Sequence, residues 1–236
     1  MPTPIPYAIE VSRRARHVRL KISQSEGLVV VIPAGFDERR VPDIITEKAD
    51  WITRTLKRIN RQAQPVNPEL ARVQPDRIYL PSTAETWRIE YVTSKTRGIT
   101  LTQPGNHTLR LTGAVSNRTL CQAAFRRWTN RYAKATLPPA IKNMARDLGF
   151  TITEISIRNQ RTRWGSCSRS RAISLNQKLV FLTPDLVRYV MLHELCHTMV
   201  LSHSKKFWDL VGRYDPAYKK KIKELHRAAK YLPIWA

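Results

Sequence analysis

The chain of 236 residues is poor in several things, and each shortage excludes a class of protein. No apolar run approaches the roughly 18–20 residues that a membrane span requires. The first residues, Met-Pro-Thr-Pro-Ile-Pro-Tyr, show neither the basic start nor the apolar core of a signal peptide, so the expected location is cytoplasmic. Cysteine is scarce: Cys121, Cys167 and Cys196 are an odd number without disulfide-framework spacing, which suits a reducing compartment. Acidic residues are also few. Eighteen Asp and Glu face 41 Lys and Arg, giving a net charge of +23 and an isoelectric point near 10.6. Such a field favours polyanions, so nucleic acid is a candidate partner beside a protein or peptide substrate; the alternative is a solvated basic surface that aids solubility. No nucleic-acid module signature accompanies the basic residues, which are spread out with clusters at Arg13-Arg14-Ala15-Arg16 and Lys219-Lys220-Lys221. Internal repeats and low-complexity tracts are absent. Hydrophobic residues make up 42%, ordinary for a chain that buries a core.

What stands out is His-Glu-Leu-Cys-His-Thr-Met-Val-Leu-Ser-His at residues 193–203. His193 and His197 lie one helical turn apart, so both imidazoles leave the same face of a helix. Leu186 and Val190 continue that stripe towards the helix start. Glu194 is rotated about 100° from His193, off the stripe, in the position of a general base rather than a ligand. Cys196 points away from the histidine face and reads as a small buried residue. His203 closes the donor set from beyond the helix end, and Glu224 is the competing third ligand. Three protein donors and one open position describe a catalytic zinc site, since structural sites are closed by four. The expected chemistry is peptide-bond hydrolysis by a zinc-bound water that Glu194 activates. Histidine spacing alone resembles that of the metzincins. Val200 stands where their turn has Gly, however, and no methionine follows Met199 to form their Met-turn.

The surrounding pattern predicts an α+β protein, with a strand-rich α+β region over residues 1–115 and a zincin-like helical metallopeptidase domain over 116–236. Val18–Ile22 alternates as a strand and Leu28–Ile32 is a short apolar strand between Gly27 and Pro33. A helix is expected from about Pro42 to Asn60, then a linker at Gln64–Pro68. Trp87, Ile89 and Tyr91, then Ile99 and Leu101, then Leu109 and Leu111, alternate as strands of an antiparallel sheet. From Asn117, Cys121, Phe125, Trp128, Tyr132 and Ala135 mark a helix broken at Pro138-Pro139, with a second helix running to Gly149. Short strands are expected around Ile155–Arg158 and Ala172–Leu175. The helix of the histidines should start at Thr183-Pro184, with Thr as cap and Pro in the first turn. The segment from Lys205 to Lys230 reads as helical with a break at Pro216. Trp164-Gly165-Ser166 is either a bend where backbone approaches substrate or a buried Trp beside a tight turn. Arg163 is placed to pair with a carboxylate of the substrate or of the protein.

Four stretches together, Arg163–Cys167 (RWGSC), Leu175-Asn176, Tyr189–His197 (YVMLHELCH) and His203–Trp208 (HSKKFW), resemble the YgjP-like metallopeptidase family. Its members are described as predicted metal-dependent hydrolases related to the SprT-like and WLM zincins. The resemblance is strongest over residues 117–230 and extends weakly to the N-terminal strands and Ala49–Ile52. It implies zinc at His193, His197 and His203, Glu194 as base, and no requirement for Gly at Val200. Two other functions compete. One is a nucleic-acid-associated zinc protease acting on DNA-bound proteins. The other is a non-enzymatic, zinc-braced nucleic-acid-binding module, against which an intact Glu194 argues.

Overall fold

In the first unit, a central strand fixes the arrangement of everything around it. The computed structural model describes residues 6–23, 27–63, 72, 74–228 and 232–236, which form two compact units, 1–64 and 65–236. The expected linker Gln64–Pro68 lies outside the described residues. In the first unit β1 (Tyr7–Ser12), β2 (Arg19–Ser23) and β3 (Gly27–Pro33) form a sheet in the order β1-β3-β2. β3 is parallel to β1 and antiparallel to β2, with Leu20 opposite Val30. As the central strand of Leu, Val and Ile it is largely buried, and Leu28, Val30 and Ile32 pack with Val41, Ile45 and Ile52 from two helices. Those helices are α1 (Val41–Glu47) and α2 (Ala49–Ala63). The single helix expected here is interrupted at Lys48, whose N–H bonds back to the Ile44 carbonyl. β1 escaped the sequence reading because its apolar residues Tyr7, Ile9 and Val11 are all exposed.

The second unit begins with β4 (Arg77–Leu80), β5 (Glu85–Thr93), β6 (Ile99–Gly105) and β7 (Thr108–Gly113), ordered β4-β5-β7-β6. The sheet is mixed rather than antiparallel. β6 and β7 form a hairpin, with His107 in the left-handed region, and its second arm joins β5 in parallel. This leaves β6 at the edge. The inward residues Ile78, Leu80, Trp87, Leu109 and Leu111 share one core with Phe125 and Trp128. Trp87 meets Trp128 edge to face at 5.3 Å between ring centroids. That shared core is why the compact units divide at 64/65 and not at the 115/116 position read from the pattern.

The helix that carries Phe125 and Trp128 is α3 (Arg118–Leu148), capped by the Asn117 side chain, which accepts from Leu120 N–H at 3.2 Å. It ends at Gly149, which takes the left-handed conformation favoured by glycine after a helix. One helix spans the region where two were expected, running straight through Pro138 and Pro139. These prolines remove two helical donors, but the carbonyls they orphan belong to Lys134 and Ala135, both exposed to water. The buried stripe meanwhile continues across them through Ala133, Leu137, Ile141 and Ala145, so Ala135 is not part of it. A three-stranded sheet follows: β8 (Glu154–Arg158), β9 (Gly165–Cys167) and β10 (Ala172–Asn176), with β10 central and β9 at an edge. A 3-10 turn over Gln177–Phe181 leads into α4 (Pro184–His197). α5 (Lys205–Tyr214) and α6 (Tyr218–Leu225) follow, and Pro216 falls in the break between them. Helix thus stops at Leu225; Lys230, the end expected from the sequence, lies outside the described residues. No described helix is long and apolar enough to cross a membrane.

Candidate metal centre

α4 is a core helix. Leu186, Val187, Tyr189, Val190, Met191, Leu192, Leu195 and Cys196 are all buried, as expected of a helix apolar nearly all round. Pro184 stands in its first turn, but the Thr183 hydroxyl makes no capping bond; its carbonyl instead accepts from Leu186 and Val187 N–H at 3.0 Å. Because most of the helix is buried, its last turn holds His193, Glu194 and His197 in fixed directions. The chain then turns out of the helix with Val200 N–H on the Cys196 carbonyl at 3.0 Å. Val200 keeps a negative φ, so this turn has no need of the glycine found in metzincins. Ser204 then begins α5, and His203 sits immediately before it.

The result is a triangle of ring nitrogens. His193 Nε2 lies 3.0 Å from His203 Nε2 and 3.2 Å from His197 Nε2, and the third side is 3.1 Å. The His197 Nδ1 proton is donated to the Val200 carbonyl at 3.0 Å, which leaves its Nε2 with a lone pair only. One proton cannot lie between three nitrogens at once, so hydrogen bonding alone does not account for the triangle. Burial, and then the neighbouring His197 and His203, push the His193 imidazole down to about 3. Burial likewise lowers His197, against the raising effect of the Val200 carbonyl. Neutral imidazoles are the form that binds a metal. Donors about 2.0–2.1 Å from a tetrahedral cation stand about 3.3 Å apart, close to the separations seen here. The donor set therefore fits a metal ion. Among the described residues this is the one cluster of three or more such side chains able to hold one.

Aromatic rings fix the triangle from behind. Phe207, fully buried, stacks on His197 at 4.3 Å and meets His193 and His203 each at 4.9 Å. Trp208 stacks on His203 at 5.6 Å and on Tyr218 at 5.4 Å. Sequence reasoning gave these two aromatics no role, although His203 and Phe207 stand at the i,i+4 spacing of neighbours on a helix face. Glu224, the competing ligand, is instead on α6 beside Lys220, 3.9 Å away. Cys196 is fully buried with its thiol pushed up to about 12.

The triangle opens into a cleft of about 770 Å³, lined on one side by α4 and on the other by residues 162–167. Glu194 also faces it, only 5% exposed, and its Oε2 has no hydrogen-bond partner. Burial raises its carboxyl to about 8, with the positive charge of Arg163 pulling in the opposite direction. The closest approach comes from Gly165. A Cβ there would lie 2.7 Å from Glu194 Cγ and 2.7 Å from Oε1. Trp164-Gly165-Ser166 is thus a strand edge pressed against the carboxylate. Asn176, 2% exposed, secures the segment before it: its Nδ2 donates to the carbonyls of Gln160 and Arg163, both at 2.8 Å. His226 and Tyr189 also line the cleft; Tyr189 opens the Tyr189–His197 stretch but was given no role, and no motif pointed to His226.

Comparison with known proteins agrees with this geometry. The family described as YgjP-like, metallopeptidase domain, matches residues 16–228, which includes most of the first unit as well as the metal centre. No curated protein matches the chain. With nearly its whole length matched, this chain belongs to the YgjP-like metallopeptidase family.

Proposed function

We propose that the protein is a zinc-dependent peptidase in which His193, His197 and His203 hold the metal and Glu194 is the general base. The observation that carries this reading is a buried carboxylate oxygen without a partner, facing the same cleft as three converging imidazoles. Zinc in that position supplies Lewis acidity, polarising a carbonyl and making water acidic enough to be deprotonated near neutral pH. Glu194 would take a proton from the attacking water on its free oxygen and return it to the leaving amine. Burial raises the carboxyl and so favours its holding a proton taken from water until the leaving amine accepts it. Arg163, whose charge opposes the shift, keeps the carboxylate form within reach.

Substrate orientation falls to β9. Among the described residues it pairs with β10 alone, which leaves its other edge without a strand partner, and Gly165, Ser166 and Cys167 line the cleft. An extended peptide can add to such an edge through main-chain hydrogen bonds. Trp164, Leu201 and Trp208 offer apolar surface for its side chains. Metal analysis together with peptide cleavage tests the assignment. Metal-free protein should take up one equivalent of zinc, Glu194→Gln should retain it while losing turnover about 10²–10⁴-fold, and His203→Ala should bind it far more weakly. Glu194→Gln cleaving at the wild-type rate, or His203→Ala holding zinc as tightly as wild type, would refute the roles.

A further inference from the structure

A second cavity, of about 630 Å³, shares no lining residue with the catalytic cleft. Its volume is within the range of ligand sites. Arg126, Arg127, Asn130 and Arg131 of α3 form one wall, edge strand β6 another, and Asn159 and Gln177 complete it. Three of the lining residues are cationic and none is acidic. Arg127 and Arg131 stand at i,i+4, a like-charge spacing that destabilises a helix unless an anion sits nearby. Both are exposed, and neither has an ion-pair partner among the described residues. Arg126 is held in place, its Nη1 donating to the Trp235 carbonyl at 3.3 Å.

Gln177 supplies an independent sign of a missing ligand. It is 2% exposed, and its Oε1 accepts from Asn130 Nδ2 at 3.0 Å. Its Nε2 has no partner. A buried amide nitrogen with unpaired hydrogens is unfavourable, and a ligand oxygen drawn against this lining residue would supply the partner. Guanidinium forks match phosphate oxygens bidentately, and the side-chain amides of Asn130 and Asn159 add neutral donors and acceptors.

We propose that this cavity is a phosphate site that holds the backbone of a single nucleic-acid strand. The net charge of +23 favours a polymer with one negative charge per unit over a small anion. The segment that contributes Asn159 continues to Thr162 and Arg163, which line the catalytic cleft.

The test is fluorescence anisotropy of a labelled 12-nucleotide oligothymidylate on the full chain between 50 and 200 mM salt. It compares wild type, R127E/R131E, and K134E/K142E, which makes the same charge change on exposed residues of α3 outside the cavity. R127E/R131E should bind at least tenfold more weakly than K134E/K142E. Its slope of log affinity against log salt should be shallower by about 1.4, the value for two lost phosphate contacts on a single strand. If R127E/R131E does not fold by circular dichroism, R127Q/R131Q replaces it, with the slope as readout. Equal weakening by both reversals would overturn the site in favour of diffuse charge. Two competition results would overturn the nucleic-acid assignment. One is displacement of the oligonucleotide by polyglutamate of equal charge as effectively as by unlabelled strand. The other is saturable binding of inorganic phosphate with no oligonucleotide binding.

Discussion

Replacing Gly165 by Ala isolates the contact between β9 and the proposed base. Gly165 does not have a positive φ, so alanine brings no backbone strain and the whole effect is steric. Its Cβ would lie 2.7 Å from Glu194 Cγ and Oε1, and 2.9 Å from Cδ. Heavy atoms of this kind settle about 3.5–4.0 Å apart, so relief requires a displacement on the order of 1 Å. The strand cannot supply all of it, because Leu175 pairs with Gly165 in the ladder of a buried strand. Glu194 cannot swing freely either, being 5% exposed. Overpacking of this size costs about 1–3 kcal/mol of stability, and each kcal/mol lowers Tm by about 2–4 °C in a domain this large. Misplacing a catalytic group by about 1 Å costs about 10²-fold in rate. Peptide cleavage by zinc-loaded Gly165→Ala should therefore show kcat lowered about 100-fold and zinc content unchanged, since the histidines lie on another face of α4. A folded variant with kcat within about threefold of wild type would refute the reasoning, as would one that loses zinc in proportion to activity.

Other perturbations reach the same site from different sides. Phe207→Ala removes the ring under all three imidazoles; it should cost about 3–5 kcal/mol in denaturant unfolding and weaken zinc binding in a chelator competition, and unchanged affinity would detach the ring from metal binding. Asn176→Asp sets a carboxylate oxygen against the carbonyls of Gln160 and Arg163; a loss of about 1–3 kcal/mol per carbonyl is expected in unfolding, with cleavage lowered even where the protein is folded. Burial raises the Cys167 thiol to about 11, so its thiolate is scarce at neutral pH and grows as pH rises towards that value. Labelling with a thiol-reactive disulfide should then accelerate about tenfold per pH unit from pH 8 to 10, and a plateau below pH 9 would contradict the shift.

Where the chain is regular, its pattern and its structure coincide. α4 was legible because capping position, proline and apolar stripe agree, and β3 because a central strand of a small sheet is apolar on both faces. β1 was hidden by the same logic reversed: its Tyr7, Ile9 and Val11 face solvent, so alternation there does not mark a core. The prolines of α3 misled because a local rule about lost donors was read without the environment of the orphaned carbonyls. Exposure of Lys134 and Ala135 lets water take the donors' place, while packing of Leu137 and Ile141 holds the helix together across the gap.

The candidate site divides along the same line, between what one element encodes and what two elements make together. His193, Glu194 and His197 are related by a helical period, so their common setting can be written down from residue numbers alone. His203 required only a short reach beyond the helix end, which spacing permits but does not compel; the choice over Glu224 came from the chemistry of imidazole. Gly165 is different in kind. Nothing within Trp164-Gly165-Ser166 says that a carboxylate 29 positions later needs the space of its missing side chain. Nor does Asn176 announce that its amide ties down the carbonyls of Gln160 and Arg163. These contacts exist because β9, held in register by its pairing with β10, lies at a sheet edge against α4. A motif search finds the residues that carry the chemistry. The residues that confine the base, and so set its pKa and its aim, become visible only once the strand and the helix are in contact.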